Sequence, residues 1–211
     1  DYSNNSIADV LKTIPGVSTI STGSSIVKPQ INGLHSSRVL LINNNVKMED
    51  HEWGIDHAPS IDINSIEKIS LIKGAGALKY GGSALGGVII SETLKTKLID
   101  SLYGKLYSSA STNGKGGTIT TDITKTNSKG WYTRFQGTFK RFGDYNTSNY
   151  IMSNTGLSER NFSLKTGLNR VDYGFEVYYS FFNNETGILR ASHLISAQDI
   201  FRGINSGIPL I

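Results

Sequence analysis

The sequence predicts two unlike halves: a small mixed α/β (or α+β) domain over residues 1–96, then long antiparallel strands over residues 97–211. Three observations predict this. Up to Thr96, short apolar runs interleave with a helical spacing and glycine-rich turns. From Leu98, apolar and polar residues alternate with a period of two over runs of ten residues or more, the mark of a sheet with two different faces. Aromatic residues also crowd the ends of those runs, as at Trp131-Tyr132, Phe139 to Phe142 and Tyr178 to Phe182.

In the first half, Ser6 with Asp9 three residues on reads as a capping box, and Ile7, Val10, Leu11 and Ile14 follow at helical spacing until Pro15-Gly16 stops them. "RVLLI" (38–42) reads as a buried strand, and "NNN" (43–45) as a tight turn into Val46. "SIDINSIEK" (60–68) holds a helical turn before the strand "ISLIK" (69–73), and "GVIIS" (87–91) is a further strand.

In the second half, Trp131, Thr133, Phe135, Gly137 and Phe139 share one face, opposite Tyr132, Arg134, Gln136, Thr138 and Lys140. Phe162, Leu164, Thr166 and Leu168 likewise oppose Ser163, Lys165, Gly167 and Asn169, and Phe175, Val177, Tyr179 and Phe181 oppose Glu176, Tyr178 and Ser180. With 98–113 and the weaker alternation of 118–124, this makes about five strands. Their length suits a tilted membrane strand, but alternation is equally the mark of a soluble half-buried sheet. Composition alone leaves both open.

The 211 residues include 23 glycines, 10 tyrosines and 8 phenylalanines but no cysteine, which excludes disulfides and thiolate metal sites. The 21 basic and 17 acidic residues are dispersed, unlike the clustered cations of a nucleic-acid binder. No run reaches the roughly 18 apolar residues of a transmembrane helix, and the polar Asp1 to Ser6 is not a signal peptide.

Residues 74–87, "GAGALKYGGSALGG", hold six glycines in fourteen positions. A phosphate-binding loop needs lysine after its second glycine, where Gly82 stands, and a dinucleotide fingerprint needs a third glycine where Lys79 stands. The remaining reading is close backbone packing, centred on Gly74, Gly81, Gly86 and Gly87. No nucleophile–base arrangement or G-x-S-x-G elbow occurs, and the Glu67-Lys68 pair has no second acid at a defined spacing, so an enzyme is not expected.

"DVLKTIPGV" (9–17), "INGLHSSRVLLINNNV" (31–46) and "IEKISLIKGAGALKYGGSALGGVI" (66–89) together resemble, in order and approximate spacing, the plug domain of TonB-dependent outer-membrane receptors. That family's pattern runs D-L-L-x-x-x-P-G-V, then I-R-G and R-V-L-V-L-x-D-G, then I-E-x-I-E-V-x-R-G-P with Y-G and G-G-V-I. The resemblance implies a partial outer-membrane antiparallel β-barrel whose first strands follow, and enclose, an N-terminal mixed α/β plug. Family barrels have 22 strands around a plugged lumen, so a fragment of a longer receptor is implied. It also implies localisation in the bacterial outer membrane, contact with outer-membrane lipid and with the inner-membrane TonB complex, and energy-coupled import of a scarce nutrient such as an iron–siderophore or similar metal chelate. No cofactor and no resident metal are implied. Polysaccharide or peptide import with a surface lipoprotein is the related alternative, and a soluble β-rich binding protein the unrelated one.

The sequence departs from the pattern at Asn32 for the arginine of I-R-G, at Lys73-Gly74-Ala75 for R-G-P, and at Asn44-Asn45 for the D-G turn. Plug arginines of the family pair with carboxylates of the barrel wall, a role the resemblance passes to Arg38 and Lys73. Family loops near "HEWGIDH" (51–57) touch substrate, which makes His51, Trp53 and His57 candidate ligand contacts. A metal site from His51, Glu52, Asp56 and His57 fits no established ligand spacing. His35 and His193 are isolated, and Lys140-Arg141 reads as a solvated strand end. The alternation further predicts Phe162, Leu164, Leu168, Phe175, Val177, Tyr179 and Phe181 toward lipid, with Lys165, Asn169 and Glu176 toward the lumen.

Overall fold

Ser6 starts the first helix. Its hydroxyl accepts from the Asp9 amide at 3.1 Å while the Asp9 carboxylate accepts from the Ser6 amide at 3.2 Å, so two of the amides a helix start leaves unpaired are satisfied reciprocally. The computed structural model describes residues 6–22, 26–52, 57–93, 99–149, 151–189 and 196–206. Helix α1 (Ile7–Leu11) buries Ile7, Ala8 and Leu11. It leads through Gly16, at φ +79°, into β1 (Val17–Thr22), which pairs antiparallel with β2 (Ile26–Ile31). This hairpin was not evident from pattern: "VSTIST" carries few apolar residues, and Pro29 lies inside β2, where proline argues against a strand.

A four-stranded mixed sheet follows, built from β3 (Val39–Asn43), β4 (Val46–Met48), β5 (Lys68–Ile72) and β6 (Gly87–Glu92) in the order β4-β3-β6-β5. Strands β3 and β6 are parallel and the outer pairs antiparallel. The central strands are apolar on both faces because both are covered. Val39, Leu41 and Ile89 pack with Ile7, Leu11, Ile31 and Ile61, while Leu40 and Val88 pack with Ala77 and Ala84. Between β3 and β4, Asn44 and Asn45 take φ +45° and +66°. These left-handed values are what a two-residue hairpin turn requires, and asparagine tolerates them. The glycine segment forms a 3-10 helix, Gly74–Tyr80.

The second sheet is a meander of β7 (Ser101–Ser111), β8 (Gly116–Thr126), β9 (Trp131–Phe142), β12 (Leu157–Asn169) and β13 (Gly174–Thr186). A two-residue-per-strand hairpin, β10 (Tyr145–Asn146) and β11 (Ile151–Met152), decorates the connection between β9 and β12. The order is β13-β12-β9-β8-β7, every pair antiparallel. The strands of 11–13 residues form an open sheet. Strand β12 begins five positions before the alternation made it visible, because Ser158, Glu159, Arg160 and Asn161 are polar on both faces. A second helix, α2 (Ala197–Ser206), was not anticipated, although Ala197, Ile200, Phe201 and Ile204 stand at helical spacing in the sequence.

The two faces of this sheet are inverted relative to a soluble protein. Thr118, Thr120, Asp122, Thr124, Thr126, Arg134, Gln136, Thr138 and Lys140 are buried, whereas Ile119, Ile123, Trp131, Phe135 and Phe139 are exposed. Phe162, Leu164, Phe175, Val177, Tyr179 and Phe181 continue the exposed apolar face across β12 and β13, and Leu168 is partly covered on the same side. The polar face is buried because the N-terminal domain lies against it.

Candidate functional site

The contact between the N-terminal domain and the polar face is made by buried charges and amides. Arg134, on β9, directs its Nε to Asp122 Oδ2 of the neighbouring β8 at 3.0 Å, and its Nη2 to Glu67 Oε1 at 2.7 Å. Glu67 immediately precedes β5, so this guanidinium bridges the two sheets. The side chains of Arg134 and Asp122 are 6% and 7% exposed, where an unpaired charge would be costly. Two residues along β9, Gln136 Nε2 donates to Asp62 Oδ2 at 2.8 Å, and Asp62 itself caps the 3-10 turn Ile63–Ser65 through the Asn64 amide at 3.0 Å. Lys165 on β12 pairs with Glu176 on β13 at 2.9 Å and reaches Asn44 Oδ1 at 3.5 Å. Tyr132 donates its hydroxyl to the same Glu176. The turn tip at Asn44 and the stretch 62–67 are thereby both tied to the strands.

Sequence reasoning placed Lys165 and Glu176 on this inner face but set Glu67 aside and assigned nothing to Asp62, Asp122, Arg134 or Gln136. The signal available was the polar face of β9, whose cation needed a carboxylate from across the interface. Arg38 and Lys73, the expected bridging cations, pair with no carboxylate of the five described long strands. Arg38 is exposed, and Lys73 donates to the Pro15 carbonyl at 2.7 Å within the N-terminal domain. The Lys73 ammonium reaches back 58 positions in sequence to the carbonyl before Gly16. Among the described residues the ion pair across the interface therefore has the opposite polarity: acid on the domain, base on the strand.

The candidate ligand residues are dispersed. His51 is 1% exposed. Its Nε2 donates to the Val39 carbonyl at 3.0 Å, while Asp50 accepts from the Ser60 amide at 2.6 Å. His51 thus anchors the base of the loop and is closed to a ligand, which corrects the expectation that it faces substrate. Trp53 and Asp56 lie outside the described residues. His57 is exposed and adjoins a cleft lined by Asp9, Ala58, Pro59, Lys140, Tyr145 and Glu159. In that cleft Lys140 pairs with Glu159 at 3.3 Å, and burial, followed by the nearby Glu159 carboxylate, pushes the Tyr145 phenol up. Lys140 is therefore an inward, paired group, not a solvated strand end. His35 contacts Ser36 Oγ at 3.0 Å, and His193 lies outside the described residues. Among the described residues no cluster of three metal-ligating side chains forms.

The glycines divide by role. A Cβ on Gly87, at φ +140°, would lie 2.8 Å from the Ile72 carbonyl oxygen. One on Gly86 would lie 3.0 Å from Leu34 Cβ and Val39 Cγ2. Both let β6 enter the sheet beside β3 and β5. Gly74 and Gly81 have open space around them but take φ +66° and +124°, so their requirement is conformational, not close contact as expected. Gly82 has neither constraint.

Comparison with known proteins agrees with this architecture. Residues 1–88 match the family described as TonB-dependent Receptor Plug Domain. Over 85 residues the chain is 35% identical to the vitamin B12 transporter BtuB of Photobacterium profundum, covering 40% of this chain and 14% of that protein. It is 34% identical over 91 residues to the heme/hemopexin utilization protein C of Haemophilus influenzae, covering 42% and 12%. The solved structure of the copper transporter OprC superposes with a TM-score of 0.73 at 23% identity, over 86% of this chain and 28% of that one. The structural likeness thus extends past the plug through the long strands, while the chain spans about one seventh of the curated relatives' length. On the match of residues 1–88, the N-terminal part of the chain carries a TonB-dependent receptor plug domain, and beyond it the chain is similar in fold to the copper transporter OprC.

Proposed function

We propose that residues 1–96 are the plug and residues 97–211 the first wall strands of an energy-coupled importer, and that its cargo is a metal chelate of the siderophore type. The observation that carries this reading is the inverted sheet: a polar face buried against the plug and an apolar face left exposed. In water such an arrangement wastes apolar burial, whereas in a bilayer it places the apolar face in hydrocarbon and the polar face toward a lumen. A soluble β-rich binding protein would carry the opposite polarity. The relatives named for vitamin B12, heme and copper support a metal-bearing cargo.

Mechanistically, the plug obstructs the lumen and is held by a small number of polar contacts, chiefly Glu67–Arg134–Asp122 and Asp62–Gln136. Polar contacts exchange for water at modest net cost (about 0.5–1.5 kcal/mol for a neutral pair and about 1.5–3 kcal/mol for one to a charged group), so a pull from the inner-membrane TonB complex parts the seam more readily than it would an apolar core. When Glu67 withdraws, Arg134 keeps Asp122, and no lone charge is left on the wall. Cargo binds above the plug, in the region of His57 and the cleft beside it. The test is uptake of labelled ferric siderophores, cobalamin and heme by cells whose sole copy of the full-length receptor is this one. Accumulation of at least one chelate, abolished by a protonophore, is the expected result. Energy-independent uptake, or uptake of only peptides or polysaccharides, would overturn the reading.

A further inference from the structure

The pair Lys140-Arg141 splits across the wall. Lys140 points inward to Glu159, whereas Arg141 alternates to the exposed apolar face. In register, Arg141 stands opposite Ser158 of β12, and Arg160 opposite Phe139. Arg160 is exposed on the same outward face. Two residues beyond Ser158, it is a diagonal neighbour of Arg141, at roughly 7–8 Å between backbones. Among the described residues neither guanidinium forms an ion pair. Among the described residues Glu185, opposite Ser158 on the next strand, forms no ion pair. Lys115 adds an exposed cation in the turn 112–115 at the same end of the sheet.

The depth of these arginines follows from the strand. From Trp131 to Phe139 the outward side chains are apolar or small. Eight residue steps at about 3.4 Å, tilted about 40°, rise roughly 20 Å, close to the height of a barrel's apolar band. Arg160 is level with the last aromatic of that band and Arg141 lies beyond it, at headgroup depth, where a basic side chain extends its charge to the polar layer. The end is also identifiable. The opposite end carries the four-residue turns 127–130 and 170–173, whereas this end carries the long connection 143–156, and barrels place long loops outside.

From this placement we infer that Arg141 and Arg160 form a binding surface for the phosphate of outer-leaflet lipid headgroups. Guanidinium forks match phosphate oxygens bidentately, and these two, diagonal neighbours at headgroup depth, outnumber Glu185, the acid in the same row, and form no ion pair among the described residues. The surface rests on the wall reading above but is independent of the cargo.

The experiment uses detergent-purified full-length receptor and native mass spectrometry with diphosphoryl lipid A, its dephosphorylated form, and phosphatidylethanolamine. Wild type is expected to retain diphosphoryl lipid A preferentially. Arg141→Gln and Arg160→Gln should each weaken retention roughly fivefold and together about 30-fold, while Lys125→Gln, outward at the other end of the face, should leave it unchanged. Undiminished retention in the double variant would overturn the inference. Complete competition by inorganic phosphate would reassign the pair to a free-anion site and overturn it equally. Heat-modifiable electrophoretic migration of the same samples reports barrel formation separately, so a failure of the wall reading is distinguishable from a failure of the lipid surface.

Discussion

Gly86 and Gly87 stand side by side, and both resist a side chain. At Gly87 an L-residue meets the Ile72 carbonyl at 2.8 Å while held at φ +140°, and at Gly86 it meets Val39 and Leu34. We expect Gly87→Val to destabilise the plug by about 2–4 kcal/mol, combining overpacking with a disfavoured backbone conformation. Gly82→Ala, in open space at ordinary φ, should be within about 0.5 kcal/mol of wild type. Thermal unfolding of the full-length receptor, followed by protease sensitivity of the plug, distinguishes the two. Spacing alone excluded both phosphate-binding patterns, at Gly82 and Lys79, and left close packing as the expectation; among the named glycines, Gly86 and Gly87 have close neighbours whereas Gly74 and Gly81 do not. The division of labour among the glycines was not legible, since φ and neighbouring atoms belong to the fold. Asp9 carries a second expectation at this scale. Burial opposes its ionisation, but hydrogen bonds from Lys12 and Ser6 prevail and hold the carboxyl below the usual carboxylate range. Its contribution to α1 is therefore full above the ordinary carboxylate pKa of about 3.9 and is lost as pH falls through the lower folded value. Hydrogen exchange at the Ser6 and Asp9 amides should accelerate, relative to the pH-corrected intrinsic rate, only on the acid side of that value, and Asp9→Asn should remove most of the dependence.

Strands β8 and β9 and the stretch 62–67 join the N-terminal domain to the long-stranded sheet. Arg134→Met removes the cation from two carboxylates, one of them 7% exposed, and should cost about 3–5 kcal/mol. Glu67→Gln leaves the Arg134–Asp122 pair intact and should cost less, about 1–3 kcal/mol. Limited proteolysis of the plug in the assembled receptor reads the difference: equal sensitivity of the two variants would show that Asp122 does not support Arg134 when Glu67 is lost. The sequence made strands β9, β12 and β13 visible through their alternation, and made Lys165 and Glu176 inward-facing by parity. It did not pair Glu67 with Arg134, because the 67 positions between them carry no periodicity that links a loop before one sheet to the middle of another.

For the whole molecule, the inverted sheet makes the decisive expectation. Nitroxide labels at 164 and 177 of the full-length receptor in vesicles should be relaxed by lipid-soluble oxygen, and one at 136 should be shielded. Leu164→Arg places a charge on the lipid face and should lower folding into vesicles by ~2–4 kcal/mol, whereas Lys125→Arg should have little effect. Shielding at 164 together with relaxation at 136 would reverse the faces.

The sequence by itself determined the two halves, the capped first helix, the central apolar strands and the face to which each residue of the long strands belongs. These are properties of local period and turn chemistry, carried within a dozen consecutive residues. Only the tertiary structure decided which groups cover the inward polar face, because its burial requires the N-terminal domain to lie against it. The same holds for the buried place of His51, the carbonyl partner of Lys73, and the acid-on-plug, base-on-wall polarity of the seam. Each depends on which distant group the chain brings within about 3 Å, and a charge selects its partner by that proximity, not by its position in the sequence.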